Sequence, residues 1–318
     1  METNKILLTL LASLTLTDNA HASNKTHVTD TPGAGNGNIE ISYETRSLNL
    51  PATYVAANGA TLASETKTSL NQLNLVFSRG FTERFDMGVL LPVSISKNES
   101  TDSTAGTNIT NATLKYAGEG DVSFILRYLI LDKAYDQISW NVSGIYSSAS
   151  APSDDPVAQS STNGTVTTAG KDGQSGRGYA STSFASTLSI PTGAGDVYLK
   201  AQYDKYRDKI TAGVLSNVGS LTSITLGMEN IVGADITLTP YAKYMMQADG
   251  YNGTTILAAN TKYDLGVNVT GDLSNSVSVA FGAAYNVWGD QSRIYANGDK
   301  YNFFGHGYTF TLSTLFFF

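Results

Sequence analysis

The chain ends on "YTFTLSTLFFF", residues 308–318. Read with a period of two, Tyr308, Phe310, Leu312, Thr314, Phe316 and Phe318 share one face. Gly307, Thr309, Thr311, Ser313, Leu315 and Phe317 share the other. A β-strand sends alternate side chains to opposite faces, so this is a strand with a greasy side and a wettable side. So much apolar surface at a terminus needs a cover, either a protein core or lipid.

The same alternation recurs upstream. Phe85, Met87, Val89, Leu91, Val93 and Ile95 oppose Asp86, Gly88, Leu90, Pro92, Ser94 and Ser96. Val122, Phe124, Leu126, Tyr128 and Ile130 oppose Ser123, Ile125, Arg127 and Leu129. Segments 235–246 and 276–287 read the same way. Pro92 and Pro240 fall inside such segments, and proline cannot donate to a ladder, so each calls for a bulge or a strand end.

The connections choose between core and lipid. Residues 80–84, 132–136, 191–195, 231–234 and 272–275 read as short turns. Between them come longer polar stretches at 51–65, 97–118, 150–178, 208–217, 247–260 and 289–304. Short and long alternate along the chain, as they do in outer-membrane barrels, whereas a soluble sandwich has no reason to sort its loops by parity. The sequence therefore predicts an all-β fold: a transmembrane antiparallel up-and-down β-barrel of about 12 strands, with short periplasmic turns and long extracellular loops. The greasy face of the last strand then meets lipid, with Phe318 at the periplasmic aromatic girdle.

The N-terminus agrees with export. Lys5, an apolar stretch over 6–16 and Ala20-His21-Ala22 have the layout of a secretory signal at 1–22. Residues 23–37 read as a polar leader, open to two roles, a periplasmic tail or a lumen plug. Residues 38–318 would form the barrel. A mean hydropathy of −0.11 is too polar for a helical membrane protein but suits a barrel, in which every second residue meets lipid. No cysteine is present, which removes thiolate chemistry, and a net charge of −7 argues against nucleic acid as a partner.

Three stretches carry a family likeness: "SRGFTERFDMGVLLPVS" at 78–94, "GEGDVSFILRYLIL" at 118–131 and "SIPTGAGD" at 189–196. In order and spacing they resemble the MetA-pathway phenol-degradation family of outer-membrane proteins. That resemblance implies a transporter barrel for small solutes, hydrophobic or aromatic ones among them. No ligand-binding motif carries over to residues of this chain.

Charges are costly on a lipid face, at about 2–4 kcal/mol for Arg or Lys at the midplane, so those within strands should point inward. Extending the alternation gives Glu40, Glu44, Arg46, Asp86, Arg127, Lys200, Lys243, Lys262 and Asp264 as lumen-lining candidates. They either line a wet pore or pair and plug the barrel. Tyr308, Phe310, Leu312, Phe316 and Phe318 form the outward stripe that resembles the outer-membrane assembly signal. Of three histidines, only His306, with Ser292, offers a conceivable hydrolytic pair, and the simpler reading is a polar rim residue. Asp154, Asp155, Lys171 and Asp172 lie on the longest loop, where a solvated surface is the simpler reading than a calcium or phosphate bridge.

No enzyme, cofactor or metal is expected. The expected partners are outer-membrane lipid and lipopolysaccharide, the outer-membrane assembly machinery and a small-molecule solute. The expected function is passive uptake of small solutes across the bacterial outer membrane. The alternative is a structural or adhesive barrel whose external loops bind a surface partner.

Overall fold

The structure is a computed structural model. It describes residues 33–318 except 56–58, 60, 106–107, 133–137, 150–152, 155–156, 163–164, 171–172, 175–178, 212–213, 233–235, 275, 295–297 and 299. The expected signal and the leader up to residue 32 lie outside the described residues, as do Asp155, Lys171 and Asp172.

Among the described residues every regular element is a strand. In chain order these are β1 (Gly37–Val55), β2 (Thr61–Gly80), β3 (Phe85–Ala105), β4 (Asn108–Gly118), β5 (Ser123–Leu131), β6 (Ser139–Ser147), β7 (Ser153–Asp154) and β8 (Val157–Thr162). They continue with β9 (Thr165–Gly170), β10 (Gly173–Gln174), β11 (Ser181–Thr192), β12 (Gly195–Tyr206), β13 (Lys209–Thr211), β14 (Val214–Asn217) and β15 (Leu221–Ile231). The last are β16 (Ile236–Gln247), β17 (Gly250–Asn252), β18 (Thr255–Leu257), β19 (Asn260–Ser274), β20 (Val277–Ile294) and β21 (Lys300–Phe317).

Twelve of them form the wall, in the order β1, β2, β3, β5, β6, β11, β12, β15, β16, β19, β20, β21, each antiparallel to the next. β21 pairs back onto β1 from Asn38↔Phe317 to Val55↔Lys300, so the wall has no edge. Closure matters because a sheet edge facing hydrocarbon would leave backbone groups unpaired at several kcal/mol each. The seam extends to the last residue. Gly37 N–H donates to Phe318 O (2.8 Å), and Phe318 N–H donates to Gly37 O (3.0 Å). Barrel pairing thus begins at Gly37, one residue before the expected boundary. Just ahead of it, Gly35 N–H donates to Gly80 O at the same end (3.0 Å).

The loop ends are asymmetric, as the spacing predicts, but the long connections contain more strand than expected. β1 and β2 stay paired past the wall, so Pro51 faces Glu65 across a ladder rather than lying in a loop. β20 and β21 likewise pair as far as Ile294↔Lys300. The upper half of β3 pairs with β4, and β4 continues through β8 to β9. The hairpins β13–β14 and β17–β18 join each other and then β20. Polar, Thr-rich stretches satisfy their backbones in such ribbons as well as in loops, and composition alone does not separate the two.

Pro92 sits beside a bulge: Leu73 pairs Ser94 and Asn74 pairs Pro92, leaving Val93 extra. Beyond that bulge β3 resumes its ladder with β2, pairing Ile95 with Gln72. Pro240 needs no bulge. The β15–β16 ladder is interrupted beside it, between Gly227↔Tyr241 and Asn230↔Leu238, while β19 still pairs through Pro240↔Val267.

Side chains alternate as predicted. Phe124, Leu126 and Tyr128 are exposed on the outside, whereas Ser123, Ile125 and Leu129 are buried inside. In β21, Tyr308, Phe310, Leu312 and Phe316 face out, while Thr309, Ser313 and Leu315 are buried within. The outer face carries tyrosine pairs in tilted contact, Tyr244 with Tyr263 (5.0 Å) and Tyr285 with Tyr308 (5.2 Å). Toward the short-turn end, Phe81, Trp140, Phe316 and Phe318 are exposed. Two aromatic bands around an apolar one are how a barrel meets the two bilayer interfaces.

Candidate functional site in the barrel interior

All nine candidate charges fall at inward positions, where they alternate with exposed neighbours; Glu40, Glu44 and Asp86 are fully buried. Register, which sequence does not reveal, decides which of them meet.

Most lie on one side of the interior. Arg46 Nη2 approaches Glu44 Oε1 (3.0 Å), and Arg46 Nε donates to Thr309 Oγ1 on β21 (3.2 Å). Thr309 Oγ1 donates to Asn286 Oδ1 on β20 (2.8 Å), and Asn286 Nδ2 donates to Asp264 Oδ1 on β19 (2.7 Å). Lys243 on β16 lies directly opposite Asp264. One polar relay therefore crosses five consecutive wall strands. Lys200 on β12 lies in the same row as Lys243, with Thr225 between them. Higher up β12, Gln202 Nε2 donates to the buried Asp204 Oδ1 (2.8 Å). Lys262 donates to Gln247 Oε1 (3.3 Å) and stands over the Trp288 ring (4.7 Å).

Asp86 and Arg127 form a separate pair, opposite each other on β3 and β5 and bonded at 3.0 Å. The field of Arg127 also reaches Glu40. A buried charge without a partner costs several kcal/mol, so these pairings are what make an interior so rich in charge tenable.

Sequence reasoning passed over two features. Val76, Leu90, Ile125 and Ile145 form an inward apolar cluster on β2, β3, β5 and β6. Ile125 already stands on the wettable face of its segment in the sequence, which was the available signal. The interior is thus two-sided, with an apolar cluster beside the Asp86–Arg127 pair on one side and the larger charged network on the other. The second feature is aromatic filling. Tyr198 and Tyr241 point inward, each laid across a glycine of the next strand, Gly227 and Gly266. A small cavity of about 20 Å³ remains between Arg46, Tyr241, Asp264, Asn286 and Thr309, room for about one water.

The hydrolytic pair is not assembled. Ser292 Oγ donates to Asn302 Oδ1 (2.6 Å), while His306 lies opposite Val287 and beside the Tyr285 ring (6.3 Å).

An edgeless wall of twelve antiparallel strands, apolar outside and polar within, is a bacterial outer-membrane β-barrel. No family model matches the sequence, and no curated protein does. Among solved structures, the COG4313 outer membrane channel from Pseudomonas putida F1 is similar over 91% of this chain and 98% of its own, at 11% identity and a TM-score of 0.57. The toluene transporter TodX of P. putida aligns over 89% of this chain and 90% of its own, at 9% identity and a TM-score of 0.48. The outer membrane protease OmpT from Escherichia coli aligns over 89% and 97%, at 12% identity and a TM-score of 0.40. The first likeness is one of fold; the other two superpose too loosely to bear on function.

Proposed function

We propose that the barrel is a passive channel for small solutes with a hydrophobic or aromatic part. The two-sided interior carries this reading: the buried Val76–Leu90–Ile125–Ile145 cluster packs one part of the interior with apolar side chains, and the Lys200–Lys243–Asp264 row charges the strands across from it. Side-chain movement that opens this packing would give a solute with an apolar body and a polar end a partner on each side, as ligand sites generally provide.

The nine charges comprise Glu40, Glu44, Asp86 and Asp264 against Arg46, Arg127, Lys200, Lys243 and Lys262. Sequence alone gives near balance, but the structure buries three more inward acids, Asp196, Asp204 and Glu229, so the small excess of one sign predicts only a weak preference, for cations. In this reading residues 1–22 are the export signal, 23–37 a leader, and the outward stripe of β21 the assembly signal. No residue is assigned a catalytic role.

Liposome swelling with a panel of uncharged aromatic, amphipathic and sugar solutes tests it. Aromatic and amphipathic solutes should enter faster than sugars of equal size, and planar bilayers should show low conductance. Equal rates across the panel, or no flux at all, would reject the channel.

The second reading is a surface-binding barrel. It draws on Ile210 and Leu215, paired on the β13–β14 ribbon and both exposed. Deleting 209–217 would abolish cell-surface attachment if that reading holds and leave solute flux intact.

A further inference from the structure

The outer wall carries a groove that the channel reading does not use. Its volume is about 600 Å³, and it runs over β5, β6, β11 and β12. Register accounts for it. Gly144 and Val142 on β6, and Ser186 and Ala201 on the next two strands, occupy outward positions of adjacent rows. These small residues make the floor. Leu126 and Tyr128 wall one side, and Phe184 and Tyr203 the other. A β-carbon added at Gly144 would meet nothing within 4 Å.

At its external end the groove meets cations. The row above Gly144 and Tyr203 reads Tyr146, Thr182, Lys205. Lys205 is exposed on the outward face, and the guanidinium of Arg207 stands over the Tyr146 ring (6.0 Å). Arg207 is anchored by its own backbone, whose N–H donates to Ala180 O (2.9 Å). Asp208 follows, and its carboxylate accepts from Asn217 Nδ2 (2.7 Å) and from Tyr251, which ties it to the ribbons even though the Lys205 charge reaches it.

We propose that this groove and basic pair seat one phosphorylated glycolipid of the outer leaflet, the lipid A part of lipopolysaccharide. An acyl chain fills the groove, and a phosphate lies on Lys205 and Arg207. Three features select that occupant over a solute in transit. The groove lies on the face already turned to lipid. Its cations sit beside Tyr146 and Tyr203, at the level where aromatic side chains mark the interface. A phosphate is the anion that a guanidinium and an ammonium together favour.

The test uses the purified full barrel in mixed micelles, with lipid A and its enzymatically dephosphorylated form as probes and native mass spectrometry as the readout. Wild type should bind lipid A about 10-fold more tightly than the dephosphorylated form. The double variant Lys205→Ser/Arg207→Ser should lose that preference. Gly144→Phe, which has room for its ring, should weaken both forms alike. Resistance to SDS before heating shows that each variant is folded, and unchanged solute flux separates this site from the lumen. A phosphate preference that survives the double variant, or undiminished binding in Gly144→Phe, overturns the assignment, as does wild type binding neither form.

Discussion

The ring of Tyr241 on β16 lies across Gly266 on β19, so that any β-carbon at position 266 would collide with it. Tyr198 treats Gly227 the same way, and the four residues fall in one register row, Tyr198–Gly227–Tyr241–Gly266. The rings cover backbone that has no side chain of its own, a device that stiffens a sheet where glycine would weaken it. Gly266→Val should displace the Tyr241 ring and cost about 1–3 kcal/mol, read as a lower urea midpoint. Tyr198 Oη has no hydrogen-bond partner among the described residues, so Tyr198→Phe should be neutral or slightly stabilising. A Gly266→Val barrel as stable as wild type would show that the slot is not tight.

The Asp86–Arg127 pair should behave as a buried ion pair. Asp86→Ala leaves Arg127 without its direct partner and should cost about 3–5 kcal/mol in guanidinium unfolding. Asp86→Leu/Arg127→Met should recover much of that loss. In a conducting pore, Arg127→Ala should move the reversal potential toward cations. A double variant as unstable as the single one would mean that the pair contributes packing rather than charge.

Asp208 links acidity to the outer ribbons. Hydrogen bonds from Asn217 and then Tyr251 hold its carboxyl below the usual range. A lowered folded value means that the bond contributes stability above the unfolded value, near 3.9, and loses it as pH falls through the lower folded one. Amide protection factors, corrected for the intrinsic pH dependence of exchange, should therefore fall in acid at Val214–Asn217 and Gly250–Asn252, while those of β19 and β20 hold. Asp208→Asn should remove the response; if the same acid sensitivity persists, the coupling lies elsewhere.

Orientation follows from loop parity. A cysteine at Thr254, on the tip of the β17–β18 ribbon, should react with an impermeant maleimide on intact cells. One at Gly193, in the two-residue turn between β11 and β12, should react only after the outer membrane is opened. The reverse pattern would turn the barrel over.

The last residue has a double role at the seam. Phe318 exchanges backbone hydrogen bonds with Gly37, and its ring covers that glycine. Phe318→Ser should lower the yield of SDS-resistant barrel, and Phe317→Ser, on the opposite face, should lower it less. Equal losses would detach assembly from the outward stripe.

Strand existence and facing were legible in the sequence because a wall with lipid on one side must repeat every two residues. "YTFTLSTLFFF" shows its lipid face without any partner in view. Loop parity yielded the even strand count for a similar reason, since each short turn returns the chain to the same side of the membrane. The ribbons were less legible. Thr61–Glu65 pairs with Pro51–Val55, but both stretches have the composition of loops, and pairing is a property of two segments rather than one.

The interior marks the division most clearly. The sequence by itself picked out nine charges that turn inward, because hydrocarbon is costly for a charge at mid-wall, but it missed the buried Asp196, Asp204 and Glu229, and Lys205 near the external rim turns outward. It did not determine their partners. Arg46 meets Thr309 across 263 residues, and Asp86 meets Arg127 across 41. Those encounters depend on the register of each strand pair and on the closure of β21 onto β1. A shift of two residues at any seam would keep every side chain on its face and change every partner. For the same reason only the tertiary structure decided that the Val76–Leu90–Ile125–Ile145 cluster forms one wall and the Arg46–Asp264 relay another: facing is local, and neighbourhood around a closed barrel is not.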